Sequence, residues 1–203
     1  LSPRDIRNCG LSYVPEERMR DGAIGDFSVK ENCVLIDHKS DDFSKFGFLK
    51  VTKVSKHAED IIEKFNVKTP SIETSTKSLS GGNIQKLIMA RELSSSPKVL
   101  LAAQPTRGVD IGAAEYIHQR LIEQRDRGTA IILISEDLDE ILALSDRVVV
   151  MFEGEIVADL DSAECSVSEL GLLMGGVKHS GVIIDSKRTC LLYTSPSPRD
   201  SSQ

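Results

Sequence analysis

Three short apolar runs separated by helical stretches constrain this chain more than any other feature. Residues 98–103 (KVLLAA), 130–135 (AIILIS) and 147–152 (RVVVMF) lack polar alternation. Runs of that length and kind suit strands covered on both faces. Between the first two, Asp110 opens a stretch where Ile111, Ala114, Ile117, Leu121 and Ile122 recur at helical spacing. Gly128 closes it, where a helix end favours a left-handed residue. Leu138, Ile141 and Leu142 mark a shorter helix before the third run. Glu153 and Gly154 read as the turn of a hairpin into residues 155–160. This alternation predicts an α/β fold with a mainly parallel sheet and a β-hairpin near its carboxy-terminal end.

The amino-terminal half is less regular. Residues 10–14 suit a strand. Ser28 and Glu31 have capping-box spacing at the start of a helix through Cys33, Val34 and Leu35. Residues 37–48 read as a loop, 51–65 as an amphipathic helix, and 69–78 as a Pro/Ser/Thr loop. Leu79-Ser80-Gly81-Gly82-Asn83 then precedes a helix over about 84–93. Paired glycines let a backbone approach a ligand, and the first N–H groups of a helix attract anions. Ser80 adds a hydroxyl donor. Phosphate is the natural partner of such a turn, although the same residues also serve as an ordinary helix start.

Composition narrows the function classes. The chain has 203 residues, 40% hydrophobic and 28% charged, which fits a globular domain rather than a disordered one. Lys+Arg number 25 against 31 Asp+Glu, a net charge of −6, so binding through phosphate neutralisation of a nucleic acid is not expected. No apolar run approaches the ~20 residues of a membrane helix, and the amino terminus lacks the apolar region of a signal peptide. A start at Leu1 rather than Met reads as truncation. Cys9, Cys33, Cys165 and Cys190 are scattered, as reduced thiols are. No metal site is predicted: His38, His57, His118 and His179 are dispersed, with His118 expected on a solvated helix face. Asp137, Asp139 and Glu140 are expected at a solvated helix N-terminus, where carboxylates complement the dipole.

Read together, these segments resemble a known family. Residues 79–121, LSGGNIQKLIMARELSSSPKVLLAAQPTRGVDIGAAEYIHQRL, resemble the ATP-binding subunits of ABC transporters. The closer resemblance is to the second nucleotide-binding domain of the tandem-domain subunits that drive sugar and nucleoside import. LSGGN-x-QK resembles their signature motif, with Ile84 where Gln is usual. PTRGVD-x-GA at 105–113 resembles their D-loop. SEDLDEIL at 135–142 and SDRVVVMFEGEI at 145–156 resemble their closing strand–helix–strand segment. VPEER-xx-DG at 14–22 and SVKEN at 28–32 resemble the stretch around and after the Q-loop. The resemblance spans residues 2–176.

The resemblance implies a partial P-loop NTPase domain over residues 1–177, with a helical signature subdomain at about 28–95 and a core at about 96–160. ATP and Mg²⁺ are the implied cofactors. Ser80, Gly81, Gly82 and Asn83 would bind nucleotide held by a partner domain, Ser80 and the two glycines at its γ-phosphate. Arg107 and Asp110 would lie at the domain interface. Gln104 stands where the family has its Walker B catalytic Glu, Ala103 where it has the preceding Asp, Glu136 where it has the switch His, and Glu16 at the Q-loop position. Ala103 offers Mg²⁺ no oxygen, and Gln104 orients water without accepting its proton. No Gly-Lys pair occurs, so a Walker A motif is absent and is expected upstream of Leu1.

The implied protein is an ATPase powering import of a simple sugar or nucleoside, peripheral to the cytoplasmic face of the bacterial membrane, with this fragment inactive alone. Its partners would be the first nucleotide-binding domain of the same chain, membrane permease subunits and, indirectly, a solute-binding protein, with no nucleic acid. A non-catalytic nucleotide clamp is the alternative, followed by a soluble ABC ATPase acting on nucleic acid or ribosomes. Phe43, Phe46 and Phe48 are expected in the core, or else against the permease. Residues 178–189 are unassigned. Residues 190–203 (CLLYTSPSPRDSSQ) resemble a sequencing adapter translated in frame and are expected to be disordered.

Overall fold

The computed structural model describes residues 2–176, and the expectations for 178–189 and 190–203 lie outside them. The chain forms two compact units, Leu1–Ile131 and Ile132–Gln203.

The first unit opens with α1 (Pro3–Asn8) and β1 (Leu11–Val14), followed by one π-helical turn over Arg18–Gly22. Then come α2 (Val29–Cys33), the strands β2 (Ser44–Lys45) and β3 (Phe48–Leu49), and α3 (Val51–Lys64). Helix α4 (Gly81–Ser94), β4 (Val99–Ala103) and α5 (Ile111–Asp126) complete the order, and the boundary between the two units falls inside β5 (Ala130–Ile134). Strands β1, β4 and β5 lie in that order in one sheet. Strand β1 pairs parallel with β4, Leu11 opposite Val99 and Val14 opposite Ala102. Parallel neighbours distant in sequence require crossover connections, which the alternation of strands and helices foretold.

Helix α4 is the core of this unit, packed by α2, α3, α5 and β1. Ile84, Leu87, Ile88, Met89, Ala90 and Leu93 are all buried, so the helix is apolar on nearly every side. Two of its charged residues are buried as well. The Glu92 carboxylate, with no side-chain exposure, accepts from Arg7 Nη1 at 2.8 Å, Arg91 Nη2 at 3.0 Å and the Tyr13 N–H at 3.2 Å. Arg91 also donates to the Gly22 carbonyl at 2.8 Å. These bonds compensate two charges that would otherwise be costly to bury.

Local chemistry sets the helix ends. Ser28 and Glu31 form the expected capping box on α2, and Asp110 caps α5 by accepting the Ala113 N–H at 2.9 Å. Helix α2 ends at Cys33, before the expected Leu35, because Val34 leaves helical geometry at φ −106°, ψ 8°. Helix α4 starts at Gly81 rather than near residue 84, because Ser80 is its cap. Residues 44–49 form a small antiparallel hairpin that starts inside the expected loop and ends one residue beyond it. Phe46 (φ 52°) and Gly47 (φ 83°) supply the left-handed pair that a two-residue turn requires. Core packing is overturned for two of the three phenylalanines: Phe46 is 90% exposed and Phe48 81%, placed on the hairpin. Phe43 is half-buried against the His57 ring, centroids 4.8 Å apart.

In the second unit, α6 (Leu138–Leu144) leads to the hairpin β6 (Arg147–Phe152) and β7 (Glu155–Asp161), which turns at Glu153 (φ 49°) and Gly154 (φ 83°). The third apolar run is thus an antiparallel hairpin strand. Helix α7 (Val167–Met174) packs on β6 and buries Leu170 and Leu173. Asp137 caps α6 as its acidic cluster suggested, but Glu140 is buried rather than solvated, because the helix turns it away from Asp137 and Asp139. No helix among the described residues is long and apolar enough to cross a membrane.

Candidate functional site

The Ser-Gly-Gly turn sits at the N-terminus of α4. Ser80 has extended backbone (φ −65°, ψ 154°) and an exposed side chain. Its Oγ accepts from Asn83 Nδ2 at 2.9 Å and from the Asn83 N–H at 3.4 Å. Asn83 Oδ1 in turn accepts the Lys68 N–H at 2.8 Å, tying the turn to the loop after α3. Gly82 is buried against α5: a Cβ there would lie 3.0 Å from Ala113 Cβ and 3.2 Å from Asp110 Oδ2. The N-termini of α4 and α5 therefore meet side by side. Between them opens a hollow of about 470 Å³, lined by Ser80, Gly82, Asn83, Lys68, Lys86 and Asp110. Two helix N-termini and two lysines bias it toward an anion, against the single carboxylate of Asp110. The exposed Ser80 hydroxyl and the first-turn N–H groups fit a phosphate presented from outside.

A second set of contacts binds this turn to the loop before α5. The Arg18 guanidinium donates through Nη1 to the Gly81 carbonyl at 3.2 Å. Through Nη2 it donates to the carbonyls of Arg107 at 2.9 Å and Gly108 at 3.2 Å. Beside it, Arg107 pairs with the Glu16 carboxylate. Gly81 and Gly108 leave room for this guanidinium: a Cβ on Gly81 would lie 3.2 Å from Nη1, and one on Gly108 2.9 Å from Nη2. Gly108 also has φ 63°, a conformation glycine adopts without strain.

The end of β4 shows a different chemistry. Ala103 is buried, and Gln104 follows it at φ 48°, uncommon for a residue with a Cβ. The Gln104 carbonyl accepts the Arg107 N–H at 3.1 Å, which turns the chain toward the loop. Ala103 carries no donor atom, and among the described residues no group of three metal-binding side chains converges. The residues at this strand end do not fit Mg²⁺.

Known structures share this fold. An ATP-binding cassette, MJ0796, in a dimeric post-hydrolysis state bound to ADP and Pi, superposes with a TM-score of 0.63 at 20% identity, over 80% of this chain and 68% of that one. A second cassette, MJ1267 in its ADP conformation, gives a TM-score of 0.59 at 20% identity, over 86% and 68%. The fold is that of an ATP-binding cassette. No protein-family model matches the chain. Among curated proteins, this chain is 44% identical over 176 residues to the guanosine import ATP-binding protein NupO of Bacillus subtilis, covering 87% of this chain and 34% of that protein. It is 45% identical to the nucleoside import ATP-binding protein NupA of Lactococcus lactis, over 86% and 34%, and 42% identical to a ribose import ATP-binding protein, RbsA, of Clostridium perfringens, over 86% and 35%. The chain spans about a third of the length of these relatives.

The fold brings together most of the residues singled out in the sequence. Ser80, Gly82, Asn83 and Asp110 line one hollow. Glu16 and Arg107 form one ion pair. Gly81 faces Arg18, and Gln104 starts the turn that delivers Arg107. Glu136 is exposed in the second unit, just beyond β5. Arg18 is the residue that sequence reasoning missed. The VPEER run contains it, but nothing in that run shows that its partners are carbonyls at 81, 107 and 108.

Proposed function

We propose that this cassette supplies the signature half of an ATP site in a transporter that imports a nucleoside or simple sugar. The observation that carries the reading is the exposed Ser80 at the Ser80-Gly81-Gly82 start of α4, beside a hollow with two lysines. ATP, when bound, supplies the phosphoanhydride whose cleavage drives transport. Ser80 donates its hydroxyl to a terminal phosphate oxygen, and the α4 N-terminus stabilises the charge that develops there. Asp110 and Arg107 face a partner nucleotide-binding domain, which contributes the phosphate-binding loop and holds Mg²⁺. The names of the relatives, covering guanosine, nucleoside, glucose and ribose import, support the solute class.

The two ATP sites of the assembly then differ. The site completed by Ser80 hydrolyses ATP. The site built on this cassette's own β4 end has Ala103 and Gln104 in place of carboxylates, with Glu136 at the switch position, and clamps nucleotide with little turnover. Glu16, at the Q-loop position, pairs with Arg107 of the loop that faces the partner domain. The segment is read as the carboxy-terminal cassette of a tandem chain, peripheral to the cytoplasmic face of a bacterial membrane. A solute-binding protein acts indirectly, through the permease. With no Gly-Lys pair, this segment alone is expected neither to hold nor to hydrolyse ATP.

ATP turnover by the full-length protein, reconstituted with its permease, tests the reading. Ser80→Ala is expected to lower kcat by about 100- to 1,000-fold, the range for losing one charge-stabilising donor. Gln104→Glu is expected to raise turnover at the second site. A normal rate in the first variant together with no gain in the second would overturn the division of labour. The purely clamping alternative draws on Ala103, Gln104 and Glu136. It predicts that turnover survives every substitution in the signature turn.

A further inference from the structure

We propose that Arg18 is a positioning residue that locks the signature turn to the loop before α5, so that the two move as one body. The inference rests on the function proposed above, in which the turn faces nucleotide and the loop faces the partner domain. One guanidinium grips three carbonyls from two separate segments: Gly81 at the first residue of α4, and Arg107 and Gly108 in the loop. The planar fork suits this task, because its donors are fixed relative to one another. A lysine ammonium presents its donors from a single point and cannot span both segments in the same geometry.

The surroundings are shaped around this grip. Gly81 and Gly108 each lack the Cβ that would crowd Arg18, at 3.2 and 2.9 Å. The missing side chain of Gly81 makes room for an arginine of the same chain as well as for a phosphate. The Glu16–Arg107 ion pair adds a second tie between the segment after β1 and the same loop. Gly82, next to Gly81, packs on Asp110 and Ala113, so helix α4 is held to the start of α5 from both sides. A displacement at the loop is thereby carried to Ser80, one residue from Gly81. The two surfaces of the cassette that would face the partner domain are linked through Arg18.

Hydrogen–deuterium exchange on the full-length protein tests the lock directly. In Arg18→Ala, the amides of residues 80–84 and 106–110 are expected to exchange faster together, with those of α3 and β4 unchanged. ATP turnover is expected to fall about 10- to 100-fold in kcat, the scale of a small misplacement at a reacting centre. Arg18→Lys keeps the charge without the fork and is expected to behave like Arg18→Ala. Faster exchange in only one segment, or in neither, would overturn the lock, and so would full activity in Arg18→Lys. If Arg18→Ala does not fold, Gly108→Ala pushes on Nη2 and is expected to loosen residues 80–84 from a distance. An effect confined to the loop overturns the proposal. Failure of the function itself reads differently: Ser80→Ala would then leave turnover intact, while the exchange pattern of the Arg18 variants would still hold.

Discussion

Glycine does two different jobs around the candidate site. Gly81 and Gly108 make room for the Arg18 guanidinium, whereas Gly82 makes room for a neighbouring helix. Gly82→Ala places a methyl 3.0 Å from Ala113 Cβ and 3.2 Å from Asp110 Oδ2. Alanine gains up to ~1 kcal/mol in helix propensity, but overpacking costs ~1–3 kcal/mol. A net loss of about 1 kcal/mol is expected, visible as a lower midpoint in urea. Cys33 makes a separate prediction. Burial pushes its thiol up to about 12 from an ordinary 9.0, against a smaller opposing effect of Arg91. The folded state therefore binds more protons than the unfolded state between those values, and stability is lost as pH rises through that window. Cys33→Ala is expected to flatten the fall in stability above pH 9, measured by denaturant titration at a series of pH values. At neutral pH, Cys9, which is exposed, is expected to react with iodoacetamide well before Cys33.

Caps and turns decide where the elements lie. The α2 capping box is complete: Ser28 Oγ accepts the Glu31 N–H at 3.2 Å, and Glu31 Oε2 accepts the Ser28 N–H at 2.8 Å. Asn32 follows, wholly buried, with its amide donating to Thr76 Oγ1 at 2.9 Å and its Oδ1 accepting the Ile24 N–H at 2.9 Å. Ser28→Ala is expected to cost about 1 kcal/mol, read from thermal unfolding, because it leaves a first-turn N–H without its acceptor. Such devices were legible in the sequence because they act over three or four residues. The same range explains the hairpin at residues 44–49, which was missed. Its turn rests on Phe46 in a left-handed conformation, and phenylalanine does not signal that geometry in a sequence.

At the scale of the whole molecule, the buried charges of α4 are the most sensitive point. Glu92 has no side-chain exposure and joins α1, β1 and Arg91. Glu92→Ala removes the carboxylate that pairs with the Arg91 guanidinium in the core and is expected to cost about 3–5 kcal/mol, read as a much lower unfolding midpoint in urea. Nothing in the sequence marked this pair, since adjacent Arg and Glu in a helix usually lie on a solvated face. The sequence alone determined the order of β1, α2, α3, α4 and the elements from β4 to β7, the caps on α2 and α5, and the Ser-Gly-Gly start of a helix, though not α1, the β2–β3 hairpin, α7 or the bounds of α2 and α4. These follow from hydrophobic period and short-range hydrogen bonding, which a linear chain displays. Tertiary structure alone decided the Arg18 grip, whose partners lie 63, 89 and 90 residues away. Its acceptors are backbone carbonyls, present at every residue, so only the folded chain selects which three meet the guanidinium.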